Sequence, residues 1–293
     1  MVAIHRRSFL GALSCIPALA VAAPAPQATT QRSAKGATAI RKRRVGIAFG
    51  GGSIHGMAHV GVLKALVESG LKFQFIAGTS AGAIIGVLAA AELPIARIEQ
   101  IARQIEWPGL MDIAWSGKGL MKHTKLQTLI DTALDGRLLE QLPIPFGAIA
   151  TDVANGERVV IRNGASGAAI SASSSVPVMF EPVSIDGRNL IDGGLTEPVP
   201  VIAVREMGAD IVIGVDVAFR PDEEQFQGLT GVAFQTMHIM ANALIKEQIA
   251  RADVAIRMSL HKHIGKDDSH EQLIAAGYAA AMRAWPKIAH LLA

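Results

Sequence analysis

The pentapeptide Gly78-Thr79-Ser80-Ala81-Gly82 lies between a run of strand formers, Phe73 to Ala77, and an apolar segment, Ala81 to Glu92, that stops before Pro94. A G-x-S-x-G at a strand-to-helix junction turns the chain so sharply that the serine hydroxyl stands clear of the sheet, and small neighbours permit the approach. Such a turn requires a strand inside a sheet and a helix packed back upon it. The rest of the chain repeats that alternation from Val45 onward. Strands are expected at Val45 to Phe49, Phe73 to Ala77, Phe146 to Asp152, Arg158 to Arg162, Ile211 to Val217 and Val254 to Met258. Helices are expected at Gly56 to Glu68, Ala81 to Glu92, Leu126 to Leu134 and Thr230 to Ala250, and Asp186-Gly187 reads as a tight turn between two short strands. The pattern predicts an α/β fold, a mostly parallel central sheet with helices on both faces, in a single domain over 45–293.

Composition supports a packed core. Half of the 293 residues are hydrophobic, 18% are charged, and mean hydropathy is +0.34, which excludes a disordered chain. Inside the body the most apolar run, Gly78 to Ala91, is too short to cross a bilayer, so the apolar excess belongs to a two-sided core. A net charge of +3 is too weak a field to imply nucleic acid. One cysteine, Cys15, supplies neither a disulfide framework nor a thiolate zinc site.

The N-terminus carries Arg6-Arg7-Ser8-Phe9-Leu10, an uncharged apolar run, and Ala20-Val21-Ala22 ahead of a proline-containing stretch. Those are the parts of a cleavable export signal of twin-arginine type over 1–22, which predicts a periplasmic or exported protein. A second reading makes Cys15 the acceptor of a membrane-anchored lipoprotein. Residues 23–44 are rich in Ala, Pro, Thr and Gln and end in Arg41-Lys42-Arg43-Arg44, which reads as a flexible tether whose basic end is a solvated flank before the first strand, a peripheral contact with anionic lipid being the alternative.

A second turn of interest follows the first strand: Gly50-Gly51-Gly52-Ser53-Ile54-His55-Gly56. Glycines at a helix start let backbone amides face an anion unobstructed. The dinucleotide fingerprint needs G-x-G-x-x-G and an acidic residue ending the second strand, and a P-loop needs Gly-Lys-Ser or Gly-Lys-Thr; both are missing, so an oxyanion hole for Ser80 fits better. A serine nucleophile also needs a base. Asp152, Asp192 and Asp216 stand at strand ends or turns, Asp192 within Ile191-Asp192-Gly193-Gly194. Among the histidines that follow, His238, His261, His263, His270 and His290, none sits in a loop motif, and packed or solvated roles suit them better.

In this order the motifs resemble the patatin-like phospholipase family, in particular its bacterial members. The resemblance rests on the glycine turn with Gly56-Met57-Ala58-His59-Val60-Gly61-Val62-Leu63, the elbow Gly78 to Gly82, and Ala150-Thr151-Asp152. It continues through Ser173-Ser174-Ser175-Val176-Pro177, Phe180-Glu181-Pro182-Val183, Asp192-Gly193-Gly194-Leu195 and Pro198-Val199-Pro200-Val201. These motifs cover 45–217, leaving a helical C-terminal part, 218–293. The resemblance implies a three-layer α/β/α patatin-like fold and a lipid acyl hydrolase with a Ser80–Asp192 dyad. It implies an oxyanion hole at Gly51, Gly52 and Ser53, supporting roles for Gly50, His55, Gly56, Gly78, Gly82, Gly193 and Gly194, and chemistry without metal or cofactor. The substrate implied is a lipid or phospholipid; an esterase for soluble esters and a non-catalytic lipid-binding protein are the competing readings. Oligomeric state is not implied. The chain departs from the family pattern at Ser53, where a fourth glycine is usual, and at His55, where a basic residue is usual. Both departures predict reduced or pH-dependent activity.

Overall fold

A computed structural model of the protein describes residues 43–105, 112–113, 119–218, 228–258 and 269–293. The signal and tether expectations over 1–42, with Arg6, Arg7 and Cys15, and the histidines His261 and His263 lie outside the described residues.

The chain begins β1 (Val45–Phe49), a 3-10 turn (Ser53–Gly56), α1 (Met57–Glu68), β2 (Phe75–Thr79), α2 (Ala81–Ala90) and α3 (Ile95–Arg103). A small ribbon follows, β3 (Asp112–Ile113) with β4 (Met121–Lys122), then α4 (Thr124–Ala133), β5 (Phe146–Asp152), β6 (Arg158–Ile161) and α5 (Ser166–Ser173). The hairpin β7 (Val183–Ile185) and β8 (Arg188–Asp192) turns at Asp186 and Gly187, and leads to α6 (Val201–Glu206) and β9 (Ile211–Asp216). Last come α7 (Gly228–Ala250), β10 (Val254–Arg257) and α8 (His270–Leu292).

The sheet order is β10-β9-β1-β2-β5-β8-β7, with β6 also paired to β5. From β10 to β5 all neighbours are parallel, and β6, β7 and β8 are joined antiparallel. Successive side chains of a strand point to opposite faces, and here the two faces differ in size. Val45, Ile47, Phe49, Ile211, Ile213 and Val215 enter a large core shared with α1, α2, α3, α4, α5 and α8. Ala48, Ala77 and Val212 enter a smaller core with α6 and α7. Small strand residues allow that second layer to lie close: a Cβ at Gly46 would strike Val204, and one at Gly214 would strike Ile249. Helices are therefore packed on both faces, the three-layer α/β/α arrangement. On the larger side α8 crosses α1 with backbones touching, Gly61 against the Ile274 carbonyl and Gly277 against that of Ala58.

The register around β5 positions the site. Ile149 pairs with Thr79 of β2 and Val160 of β6, whereas Ala150 pairs with Val159 of β6 and Asp192 of β8. A strand has only two edges, so β6 occupies one and β2 and β8 share the other. One runs parallel to β5 and the other antiparallel, and their C-terminal ends meet head to head. Thr79 and Asp192 thus stand beside consecutive residues of β5.

Some boundaries differ from expectation. β2 starts at Phe75 rather than Phe73 and runs through Gly78 and Thr79, because pairing with β1 and β5 continues to the edge of the elbow. Helices α3, α5 and α6 are additions, and α1 starts at Met57 after a 3-10 turn. Lys42–Ala293 forms a compact unit, and Arg44, placed at the tether's end by its sequence, is tied to Asp210 through its backbone amide at 2.8 Å and its guanidinium at 3.1 Å.

Candidate active site

Ser80 links β2 to α2 with φ 53 and ψ −124, a backbone state that costs a non-glycine residue about 1–3 kcal/mol. Close packing holds it there. A Cβ on Gly82 would run into the carbonyls of Phe49 and Gly50, and one on Gly78 into the backbone of Gly82 and Ala83. The Thr79 hydroxyl donates to the Glu197 carbonyl at 2.7 Å, and the Ser80 amide donates to the Ser173 hydroxyl at 3.0 Å. Glu197 is itself fully packed: its carboxylate accepts from Arg158 at 2.7 Å and from the amides of Ile202 and Ala203, which open α6. Burial pushes the Glu197 carboxyl up, and the Arg158 guanidinium and those amides oppose the rise.

Asp192 ends β8 and is buried. Its amide donates to the Ser175 carbonyl at 2.9 Å and its carbonyl accepts from the Thr151 hydroxyl at 3.0 Å. One carboxylate oxygen, Oδ1, accepts from the Gly194 amide at 2.7 Å. The other, Oδ2, completes no hydrogen bond of ordinary geometry among the described residues. The Ser80 hydroxyl lies close enough to favour the charged carboxylate, a loose contact of the kind that tightens when substrate is bound. Burial dominates and pushes the Asp192 carboxyl up to about 6, against the Gly194 amide and the Ser80 hydroxyl. The C-terminal end of α5 thus reaches both residues, Ser173 at Ser80 and Ser175 at Asp192.

The other two carboxylates are occupied elsewhere. Asp152 accepts from the Ala154 amide and pairs with Arg188 at 2.6 Å, interactions that hold its carboxyl below the usual range. Asp216 accepts from the Ala218 amide at 3.1 Å and does not line the cavity that holds Ser80.

The glycine turn packs against the elbow: a Cβ on Gly51 would stand 3.6 Å from that of Ser80. Its shape is fixed by bonds from the Gly50 amide to Val215 and from the Gly51 amide to Pro198, both 2.9 Å. Buried His59 grips the turn from beneath, its Nε2 2.7 Å from the Gly50 carbonyl. Burial drives the His59 pKa down to about 4, so the ring is neutral and carries its proton on Nε2. Of the three amides expected to face an oxyanion, that of Gly51 is committed to Pro198, whereas those of Gly52 and Ser53 donate to no acceptor among the described residues. Gly52 is required for space, since a Cβ would collide with Val217. Ser53 has φ 50, the left-handed region in which glycine rests without strain. His55 and Gly56 complete the turn; both are buried, and Gly56 lies against Ala81.

Ser80, Asp192, Gly51, Gly52, Ser53 and Gly194 line one cavity of about 140 Å³. Its remaining wall is mainly apolar, from Val176 and Pro177, Leu195 and Pro198, and the inner stripe of α7. His238 of α7 is part of that wall, where burial lowers its pKa. Sequence reasoning gave no role to His59, to His123 or to Glu197. His123 stacks on Phe180 at 3.7 Å and meets the Ser174 carbonyl at 3.0 Å, bracing the segment that carries Val176 and Pro177. Among the described residues no group of three or more His, Cys, Asp or Glu is placed to hold a metal ion.

The sequence model of the family described as patatin-like phospholipase matches residues 47–205, which contain Ser80, Asp192 and the glycine turn but neither α7 nor β9 with the residues that follow it. An uncharacterised NTE family protein of Mycobacterium bovis is 34% identical over 200 residues, 66% of this chain and 53% of its own length. Patatin-like phospholipase domain-containing protein 7 of Rattus norvegicus is 32% identical over 192 residues, 61% of this chain and 14% of its own. The chain therefore spans about half the length of the first of these relatives. Among solved structures, VipD from Legionella pneumophila shares the fold at 13% identity, with a TM-score of 0.54 over 84% of this chain and 67% of that one. With more than half of its residues inside the family match, the chain belongs to the patatin-like phospholipase family.

Proposed function

We propose that the protein is a serine-dependent lipid acyl hydrolase that works through Ser80 and Asp192 without a histidine. The observation that carries this reading is the meeting of β2 and β8 head to head, with a strained serine and a buried carboxyl of raised pKa in one apolar cavity. An aspartate at its ordinary pKa is a poor base for a hydroxyl, and burial raises its basicity while leaving it mostly ionised at neutral pH.

In the first step the Ser80 oxygen attacks the ester carbonyl carbon and its proton passes to Asp192. Oxygen charge develops against the amides of Gly52 and Ser53, with the N-terminus of α2 adding a favourable dipole. Collapse of the adduct breaks the bond to the alcohol portion, which leaves with the proton held by Asp192. Water then attacks the acyl-Ser80 ester, Asp192 takes a water proton, and the fatty acid leaves as Ser80 regains its hydrogen. The apolar wall suits the acyl chain, and the Gly194 amide keeps the carboxylate in register with the serine.

Incubation with mixed phospholipid and neutral-lipid dispersions, followed by product profiling, tests the activity and its headgroup preference together. Free fatty acid should form with wild-type protein and be absent with Ser80→Ala. Fatty acid release that persists in folded Ser80→Ala protein, or no release from any lipid by wild type, would overturn the reading.

A further inference from the structure

Helix α7 does not follow the pattern of a surface helix. From Gly228 to Ile245 it runs 18 residues without a charged side chain. One stripe, including Phe234, Met237, Ala241 and Ile245, lines the Ser80 cavity. About half a turn away at 100° per residue, a second stripe faces outward. Its Leu229, Val232, Ile239 and Met240 are 89%, 51%, 55% and 58% exposed. A helix on a water-facing surface normally turns charge outward; over this span α7 turns out none, its outward face carrying the four large apolar side chains with Thr236, whose hydroxyl is bonded back to the Val232 carbonyl, and it is covered on one side only. Other elements of the cavity continue the apolar rim. Ile54 follows Ser53, and Val178 follows Pro177; both are about half exposed, and Val178 holds φ 73 although it is β-branched.

We propose that the outer face of α7, with Ile54 and Val178, seats the protein on the surface of a lipid aggregate, so that an acyl chain enters the cavity along α7 without crossing water. The proposal rests on the hydrolase reading for its purpose, but seating needs no chemistry. Continuity decides the occupant. The exposed stripe and the cavity wall are two sides of one helix, and a second protein copy on that face would cover the rim that substrate must pass. The missing charge makes the contact apolar insertion rather than attraction to anionic headgroups. No described helix is long and apolar enough to cross a membrane, in keeping with a helix that lies at the interface. This places lipid contact at the opposite end of β1 from Arg44, which is paired with Asp210.

The test is sedimentation with sucrose-loaded phosphatidylcholine vesicles, using Ser80→Ala protein so that no lipid is consumed. Ile239→Glu with Met240→Glu should reduce the bound fraction at least about tenfold. Val67→Glu, an exposed apolar position at the far end of α1, should leave it unchanged, and about 0.5 M salt should alter wild-type binding less than about twofold. With Ser80 restored, the double variant should keep turnover of a soluble short-chain ester within about threefold while vesicle hydrolysis falls at least about tenfold. Binding that survives the double substitution, binding that salt abolishes, or a wild-type dimer on size exclusion that the double variant dissolves would each overturn the proposal. Vesicle binding by Ser80→Ala protein with no hydrolysis by wild type would instead sink the hydrolase reading and leave the seating intact.

Discussion

β1 and β2 are parallel neighbours, and each ends in a glycine-bracketed turn that sets a serine in nearly the same φ, 50 at Ser53 and 53 at Ser80. Their surroundings separate them. Ser80 is buried, its amide is held by Ser173, and the Asp192 carboxyl stands beside its hydroxyl. Ser53 is exposed at the rim of the same cavity, and no hydrogen bond holds its amide among the described residues. A positive φ is thus common to the two turns, and what surrounds the serine is not. The elbow depends on which residue stands at its strained position, and the glycine turn depends on backbone shape.

Substituting alanine for each serine probes that difference most sharply. Ser80→Ala should lower kcat/KM for an ester at least about 10³-fold, whereas Ser53→Ala should stay within about tenfold, since it keeps the amide. Equal losses from the two would erase the distinction.

Asp192→Asn should lower kcat at least about 10²-fold. It should also stabilise the fold at neutral pH. The folded-state pKa of Asp192, about 6, lies above the carboxyl's ordinary value of 3.8. Its contribution to stability is therefore fully present below pH 3.8 and lost as pH rises through 6. The neutral amide escapes that loss, so Tm at pH 7 should rise by about 2 °C or more, with the advantage vanishing near pH 4. A lower Tm at pH 7 would mean that the carboxylate is structurally required. The same ionisation governs activity: kcat/KM should climb through pH 6 as Asp192 loses its proton, and a profile flat between pH 5 and 8 would exclude it as the base.

The glycines rank in the same way. Gly82→Ala drives a Cβ into two carbonyls and should destabilise the protein by about 3 kcal/mol in denaturant unfolding. Gly51→Ala meets only ordinary contacts and should change stability by less than about 1 kcal/mol. The smallest effect expected is that of Ser53→Gly, which relieves a positive φ and should add about 0.5 kcal/mol of stability with activity equal to or above wild type.

Local signals made the elbow legible. A strand run, a G-x-S-x-G and an apolar helix define it within twenty residues, and the glycine turn is equally compact. Asp192 was harder, because its pairing with Ser80 arises from β8 running against β5, a register that no short window of sequence contains. Before the family resemblance is invoked, Asp152 and Asp216 compete with it on equal terms. His59, His123 and Glu197 could not be read as supports, since their partners are backbone groups brought near by the fold. Helix α5 escaped notice because Ser166 to Ser173 holds only small residues and isoleucine, with too little periodic contrast to mark a face. Helix α7 was legible as a helix, but large apolar residues stand on both of its sides, and only packing reveals which one faces the cavity.

The most direct measurement is fluorophosphonate labelling of the folded protein with peptide mass mapping. The account predicts a single adduct on the peptide that contains Ser80, absent in Ser80→Ala and formed at least about 10²-fold more slowly in Asp192→Asn. An unlabelled wild-type protein, or an adduct that forms equally in Ser80→Ala, would contradict it.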